Sequence, residues 1–385
     1  MKTIGIIAEY NPFHNGHQYH LQQIKKKYPD STIILVMSGN FTQRGEASII
    51  DKWKKTEIAL KAGIDLIVEL PFPFATQSAD YFSYGAITIL EKLKVEKIIF
   101  GSESNNLKDL EEIVKAQLEH EDFDKLVKIY SKLGENYPTA LSLALKDLTN
   151  KTIKTPNDLL GISYLKIIKE NQYKIKAETI KRTNNYLDTD LKEQISSSTA
   201  IRKALRKKEE IKNQVPDYVL PYLNNLHFIE DYFPYLKYKI LTTEDLSIYQ
   251  TVDEGIDKVL KKEIEKSTSY EEFITKIKSK RYTRNKIQRL LLHILCNFTK
   301  EKKHLFKDIS YLRILGFNDK GQSYLNKIKK EVDIPIISKI NKNKDPMLEF
   351  ELETTKIYSL IEKDTSVETI KNEYKNHLNK GENYD

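Results

Sequence analysis

Residues Glu9 to His20 read EYNPFHNGHQYH, with His14 and His17 three apart and Gly16 directly before the second. On a helix opening at this point both imidazoles stand at its mouth, where unpaired backbone N–H groups and the positive end of the helix dipole face outward. Gly16 leaves room for an anion to approach the backbone, and Asn11 and Pro12 stiffen the approach. Ring N–H donors beside helix-start amides suit phosphate, because they stabilise the charge that grows on it during nucleotidyl transfer.

A second run, Gln194 to Arg202 (QISSSTAIR), clusters hydroxyls at a helix start. Ser197 and Thr199 suit the β/γ end of a triphosphate, and Arg202, one turn in, reaches the same anion. Lys181 and Arg182 close the fifth predicted strand, where a cation faces the triphosphate or departing pyrophosphate. Gly101, in IIFGSES, is either a turn glycine or a place for backbone to pack on adenine or ribose. Asn157 is either a helix cap or a nucleotide contact. The loop Ser38 to Glu46 differs in kind: Gly39, Asn40, Gln43 and Arg44 offer an amide and a guanidinium, suited to an acceptor or a small second substrate.

Strands and helices must position these groups. TIGIIA (3–8), TIILVM (32–37), LIVEL (66–70), KIIF (97–100) and YKIKAETI (173–180) read as strands, the first four as continuous apolar runs buried on both faces. Helical spacing over 17–28, 52–62 and 81–93 alternates with them. Together they predict a doubly wound, Rossmann-like parallel sheet with ligands beyond the strands' carboxyl ends. A helical insertion is expected over 107–148 and a further helix over 195–208. After about residue 208 the alternation gives way to Lys-rich helical segments. The expected division is therefore 1–208, an α/β catalytic domain, and 209–385, a mainly helical basic domain whose end, from about Val367, frays.

The 385 residues carry 63 Lys and Arg against 55 Asp and Glu, a net +8 that favours an anionic partner. Between Lys276 and His304 ten cations meet one acid, Glu301. A helix over 281–298 buries Ile287, Leu290, Leu291, Ile294, Leu295 and Phe298. Arg281 lies at its start, and Tyr282, Lys286, Arg289 and His293 share another face, suited to an RNA backbone with Tyr282 available for stacking. The single cysteine, Cys296, excludes an internal disulfide and fits a reducing cytoplasm. No apolar run reaches the ~20 residues of a spanning helix.

GIIAEYNPFHNGHQYHL, VMSGNFTQRGEASIIDKW, ELPFPFATQSADYFSYGA and FGSES, continued by TPNDLLGISYLK, IKRTNNY and ISSSTAIR, resemble the bacterial tRNA(Met) cytidine acetate ligase family of the HxGH nucleotidylyltransferase superfamily. The likeness is dense to about residue 105 and thin after about 210. It implies a nucleotidylyltransferase-like fold that activates acetate with ATP as acetyl-adenylate, then acetylates N4 of the wobble cytidine of elongator tRNA(Met), with Mg²⁺ accompanying ATP, no resident metal and no DNA partner. Carried onto matching positions, it puts ATP against Ile7, Ala8, Glu9, Tyr10, Asn11, Pro12, Phe13, His14, Asn15, Gly16, His17, Gln18, Tyr19 and His20, and against Gly101, Asn157 and Arg182. His14, His17 and Arg182 would be catalytic. Two rivals are an adenylyltransferase for a small phosphorylated cofactor precursor, which would use the same motifs, and a non-catalytic RNA-binding protein on a retired nucleotide fold, which should have lost motif residues where His14, His17 and Arg202 remain.

Overall fold

The computed structural model describes residues 2–135, 137–151, 155–182, 195–279, 282–340, 345–362 and 366–375. Its strands are β1 (Thr3–Ala8), β2 (Thr32–Ser38), β3 (Leu66–Leu70), β4 (Lys97–Ser102), β5 (Lys176–Lys181), β6 (Leu312–Phe317) and β7 (Ile336–Ile337). They form one sheet in the order β5-β4-β1-β2-β3-β6-β7. The first five run parallel, as the strand–helix alternation predicts.

Successive side chains of β2 explain its unbroken apolar run. Ile33, Leu35 and Met37 enter one core with Leu21, Trp53 and Ile201 of the Asn15–Lys27, Lys52–Lys61 and Ser198–Arg206 helices. Ile34 and Val36 enter the other with residues of the Ala79–Lys92 and Pro156–Glu170 helices. Each such burial contributes about 1.5–3 kcal/mol before entropy is counted, so neither face tolerates a polar substitution. From β1 the chain builds outward to β2 and β3, then returns to place β4 and β5 on the other side. The ends of β1 and β4 therefore flank the point where strand order reverses, which is where such sheets bind ligands.

The helical insertion falls where the sequence reading puts it, as three helices, Leu107–Glu119, Phe123–Lys132 and Tyr137–Thr149. Two features depart from that reading. β6 comes from the distal half and pairs antiparallel with β3, and the second core takes in Ile287, Leu290, Leu291 and Ile294 of the Arg284–Leu295 helix. The expected frayed end instead contains the Ser366–Tyr374 helix, whose Glu373 is 1% exposed and meets Lys52 at 2.7 Å. Among the described residues no helix is long and apolar enough to cross a membrane.

Candidate active site

A cleft of about 550 Å³ opens at the carboxyl ends of β1 and β4. A larger hollow of about 640 Å³ lies beside Lys2 and Ser31, just before β1 and β2. That is the opposite end of the sheet, away from every candidate residue.

At the cleft, His14 caps the first helix: its Nδ1 accepts from the Gly16 N–H at 3.0 Å, and the His17 Nδ1 accepts from the His14 N–H at 3.3 Å. Backbone N–H groups only donate, so each Nδ1 presents its lone pair and each neutral ring carries its proton on Nε2. The rings stack with centroids 3.8 Å apart, and Tyr10, at φ 48°, packs against His17 at 4.7 Å. Burial, then Arg182 and Arg202, lowers the His14 pKa to about 3. Burial, then His14, Arg182 and His20, holds His17 well below its ordinary value, and burial with Arg182 lowers His20 to about 4. The rings are thus uncharged Nε2–H donors. Gly16 is required for a reason besides anion access: a Cβ there would lie 2.9 Å from the folded-back His14 ring.

The expected cations divide. Lys181 and Arg182 line the cleft. Arg182 is oriented by Asn157, whose Oδ1 accepts from its Nη1 at 3.4 Å, and Asn157 is held by Glu103 at 2.5 Å. Asn157 is not the cap, which is Thr155, and it too lines the cleft. A Cβ on Gly101 would come within 3.2 Å of the Arg182 side chain, so this glycine lets the arginine lie across the end of β4. Arg202 also lines the cleft and is tied to the Asn11 carbonyl at 2.9 Å and the Glu46 carboxylate at 2.6 Å. It clamps the β1 and β2 loops together, and Asn11 reinforces the clamp by accepting from the Ile49 N–H at 2.8 Å. Ser197 caps its helix through the Ala200 N–H and lines the cleft with Ser198, whereas Thr199 does not. Ile7, Ala8, Glu9, Tyr10, Asn11, Tyr19 and His20 line it. Pro12, Phe13, Asn15 and Gln18 do not: Phe13 is core, Asn15 donates to the Asn213 carbonyl, and Gln18 accepts from Tyr218.

Of the acceptor loop, Gln43 and Arg44 reach the cleft, and Gly39 and Asn40 do not. Asn40 is used structurally, accepting from the Lys52 N–H and donating to Thr355. A Cβ on Gly39 would lie 2.5 Å from the buried Glu69, partner of Lys52. Beneath this loop Lys55, 1% exposed, donates to the Glu9, Ser38 and Gly39 carbonyls, and burial lowers its pKa to about 7.

The basic helix is shorter than expected, Arg284–Leu295, and of its stripe Tyr282 and His293 are buried while Lys286 and Arg289 are half-buried. Tyr282 is 5% exposed with its hydroxyl on the Asp253 carbonyl, and His293 is 1% exposed between Thr76 and Thr251. Neither is available to stack on or grip an RNA. Lys286 lies over the Tyr282 ring at 4.1 Å, and Arg281 lies outside the described residues. Arg289 enters the same cleft as the histidines, together with Thr283 and Asn285. It forms no hydrogen bond or ion pair among the described residues, and burial and Arg44 lower its pKa to about 10. The helix sits against the acceptor loop so closely that a Cβ on Gly45 would collide with the Gln288–Arg289 backbone. Sequence reading missed this convergence, and missed Phe100, Leu160 and Tyr164 as walls. Among described lining residues Arg44, Lys166, Lys181, Arg182, Arg202 and Arg289 outnumber Glu9, Glu46 and Asp80.

A cationic cleft at a strand-order reversal, with paired neutral imidazoles at a helix mouth, defines a nucleotidyl transferase, and residues 1–373 match the family described as HIGH Nucleotidyl Transferase. Proteins named tRNA(Met) cytidine acetate ligase from Geobacillus sp. (strain WCH70) and Anoxybacillus flavithermus (strain DSM 21510 / WK1) are each 40% identical to it. They match over 94% and 97% of this chain and 95% and 99% of their own. The apo Thermotoga maritima TmcAL crystal structure (form I) superposes with a TM-score of 0.88 at 31% identity, covering 94% of this chain and 95% of that one. The form II structure of the same protein, bound with alpha-thio ATP, gives 0.85 over the same shares at 31% identity. The chain belongs to the tRNA(Met) cytidine acetate ligase family.

Proposed function

We propose that the protein uses ATP to activate acetate and transfers the acetyl group to N4 of the wobble cytidine of elongator tRNA(Met), in the cytoplasm. In the first step an acetate oxygen attacks the α-phosphorus, and the bond to the β-phosphate breaks with release of pyrophosphate. The Nε2–H groups of His14 and His17 donate to phosphate oxygens without adding charge, while Arg182 and Lys181 neutralise the leaving pyrophosphate. In the second step the cytidine amine attacks the acetyl carbonyl and AMP leaves, which requires the base to leave its stack and enter the cleft.

One observation carries this reading: the neutral HxGH pair shares its cleft with Arg289 of the distal half, which pairs with no described residue. A small-molecule adenylyltransferase has no use for that second contribution, and a retired fold has no reason to keep both donors oriented. In this proposal residues 1–208 supply the chemistry and 209–385 the RNA contacts, with Lys286, Arg289 and, on sequence alone, Arg281 on the basic flank. The described residues include no His/Cys/Asp/Glu cluster suited to a metal, and Mg²⁺ is assigned to the triphosphate. The test is pyrophosphate release from ATP with and without acetate, followed by assay of acetylcytidine on the tRNA. A stable adenylylated small product made without RNA would establish the adenylyltransferase instead.

A further inference from the structure

The second step releases a proton from the cytidine amine, and the cleft offers few groups able to take it. His14 and His17 are unsuited, because each Nδ1 lone pair already accepts a backbone N–H and each Nε2 carries the ring proton. The His20 Nε2 is enclosed in protein, and Lys55 directs its ammonium at three carbonyls. Among the lining carboxylates, Glu46 is paired with Arg202 at 2.6 Å, and Asp80 is exposed in the first turn of its helix.

Glu9 is different. It follows β1 directly, between the histidine loop and the acceptor loop. Its Oε1 accepts from the Gln43 N–H at 2.7 Å and the Ser38 hydroxyl at 3.4 Å, while Oε2 makes no hydrogen bond to a described residue. The carboxylate is thus held by one oxygen and presents the other. We propose that Glu9 is the general base that takes the amine proton during acetyl transfer. This assignment rests on the two-step reaction above. The cytidine N4 lone pair forms the C–N bond to the acetyl carbon, the C–O bond to AMP breaks with its electron pair going to the phosphate, and the N4 proton passes to Glu9 Oε2 and then to water.

The surroundings suit that role. Burial raises the Glu9 pKa, opposed by the Gln43 N–H, Arg44 and Lys55 and assisted by Glu46. Tyr164, the other titratable group facing it, is kept protonated by burial. A carboxylate with a raised pKa is a stronger base than an exposed one, which suits it to accept a proton from the amine.

The test uses the full-length enzyme with ATP, labelled acetate and tRNA(Met). Two rates are read: acetate-dependent ATP–pyrophosphate exchange for the first step, and single-turnover acetylcytidine formation for the second. Glu9→Gln is expected to slow transfer on the order of 10²–10⁴-fold while exchange falls far less, and to remove the acid limb of the transfer pH profile. Glu9→Asp keeps a carboxylate and should retain that limb at an intermediate rate. Equal losses of exchange and transfer in Glu9→Gln, an unchanged transfer rate, or a flat Glu9→Asp profile would each overturn the assignment. Wild-type exchange that ignores acetate would overturn the reaction itself, and this assignment with it.

Discussion

On one side of the cleft His14 and His17 are oriented by backbone groups two and three residues away, so a short contiguous segment fixes both donors. On the other side Arg44 and Arg289 meet from opposite halves of the chain, and their geometry exists only once the Arg284–Leu295 helix has packed on the Ser38–Glu46 loop. The first wall is local and neutral, while the second is assembled and cationic. In the proposed reaction the nucleotidyl-transfer chemistry is assigned to the local wall. The contribution particular to an RNA acceptor is assigned to the place where two distant segments converge.

That contrast is broken most severely at the local wall. His17→Ala should lower acetate-dependent pyrophosphate exchange on the order of 10²–10³-fold, the usual cost of one lost donor to developing charge, while tRNA affinity in a filter-binding titration stays close to wild type. Equal loss of both would merge the two walls into one site. Arg202→Ala removes the clamp between them, leaving Glu46 and the Asn11 carbonyl unpaired. A loss of about 2–3 kcal/mol in urea unfolding is expected, with exchange and transfer reduced together. An effect on exchange without destabilisation would return Arg202 to the phosphate.

Acid should discriminate between buried histidines. His14, His17, His20 and His293 are held neutral in the fold by burial, with His14 lowered to about 3 and both His20 and His293 to about 4. Below pH ~6.5 the unfolded chain binds protons that the folded chain refuses. Stability is therefore full above that pH and falls as pH drops toward the folded values, by up to about 1.4 kcal/mol per pH unit for each group. ATP should restore part of the loss, because a triphosphate raises the three cleft histidines and leaves His293 untouched. Proton uptake on ATP binding at pH 5.5, measured by calorimetry in two buffers, checks this, and its absence would mean that the triphosphate leaves the cleft histidines neutral. The smallest effect belongs to the assembled wall: Arg289→Ala should weaken tRNA binding about tenfold and reduce its salt slope by about one, with exchange little changed. An unchanged slope would put the RNA elsewhere.

How much of this was legible in sequence follows the same division. β1 and β3 match their predicted limits, and the HxGH segment stands where expected, because neighbours within a few residues determine both. The clamp role of Arg202 was not legible, because its partners, Asn11 and Glu46, lie more than 150 residues away and leave no local trace. The period of the Tyr282–His293 stripe was readable, but the burial of its two ends was not. His293 is buried because Thr76, Thr251 and the Gln250 carbonyl receive it, and the Asp253 carbonyl receives the Tyr282 hydroxyl. β6 went unseen because Arg313 interrupts LRILGF, and only the fold reveals that arginine as fully buried against Glu373.

The most direct test of a two-walled cleft is to follow one enzyme through both steps: ATP–pyrophosphate exchange with and without acetate, then a chase with tRNA(Met) read by mass spectrometry of its nucleosides. Exchange that needs acetate but no tRNA, followed by conversion of the enzyme-bound acetyl group to N4-acetylcytidine, is the predicted result. Exchange indifferent to acetate, or a chase that leaves the tRNA unacetylated, would contradict it.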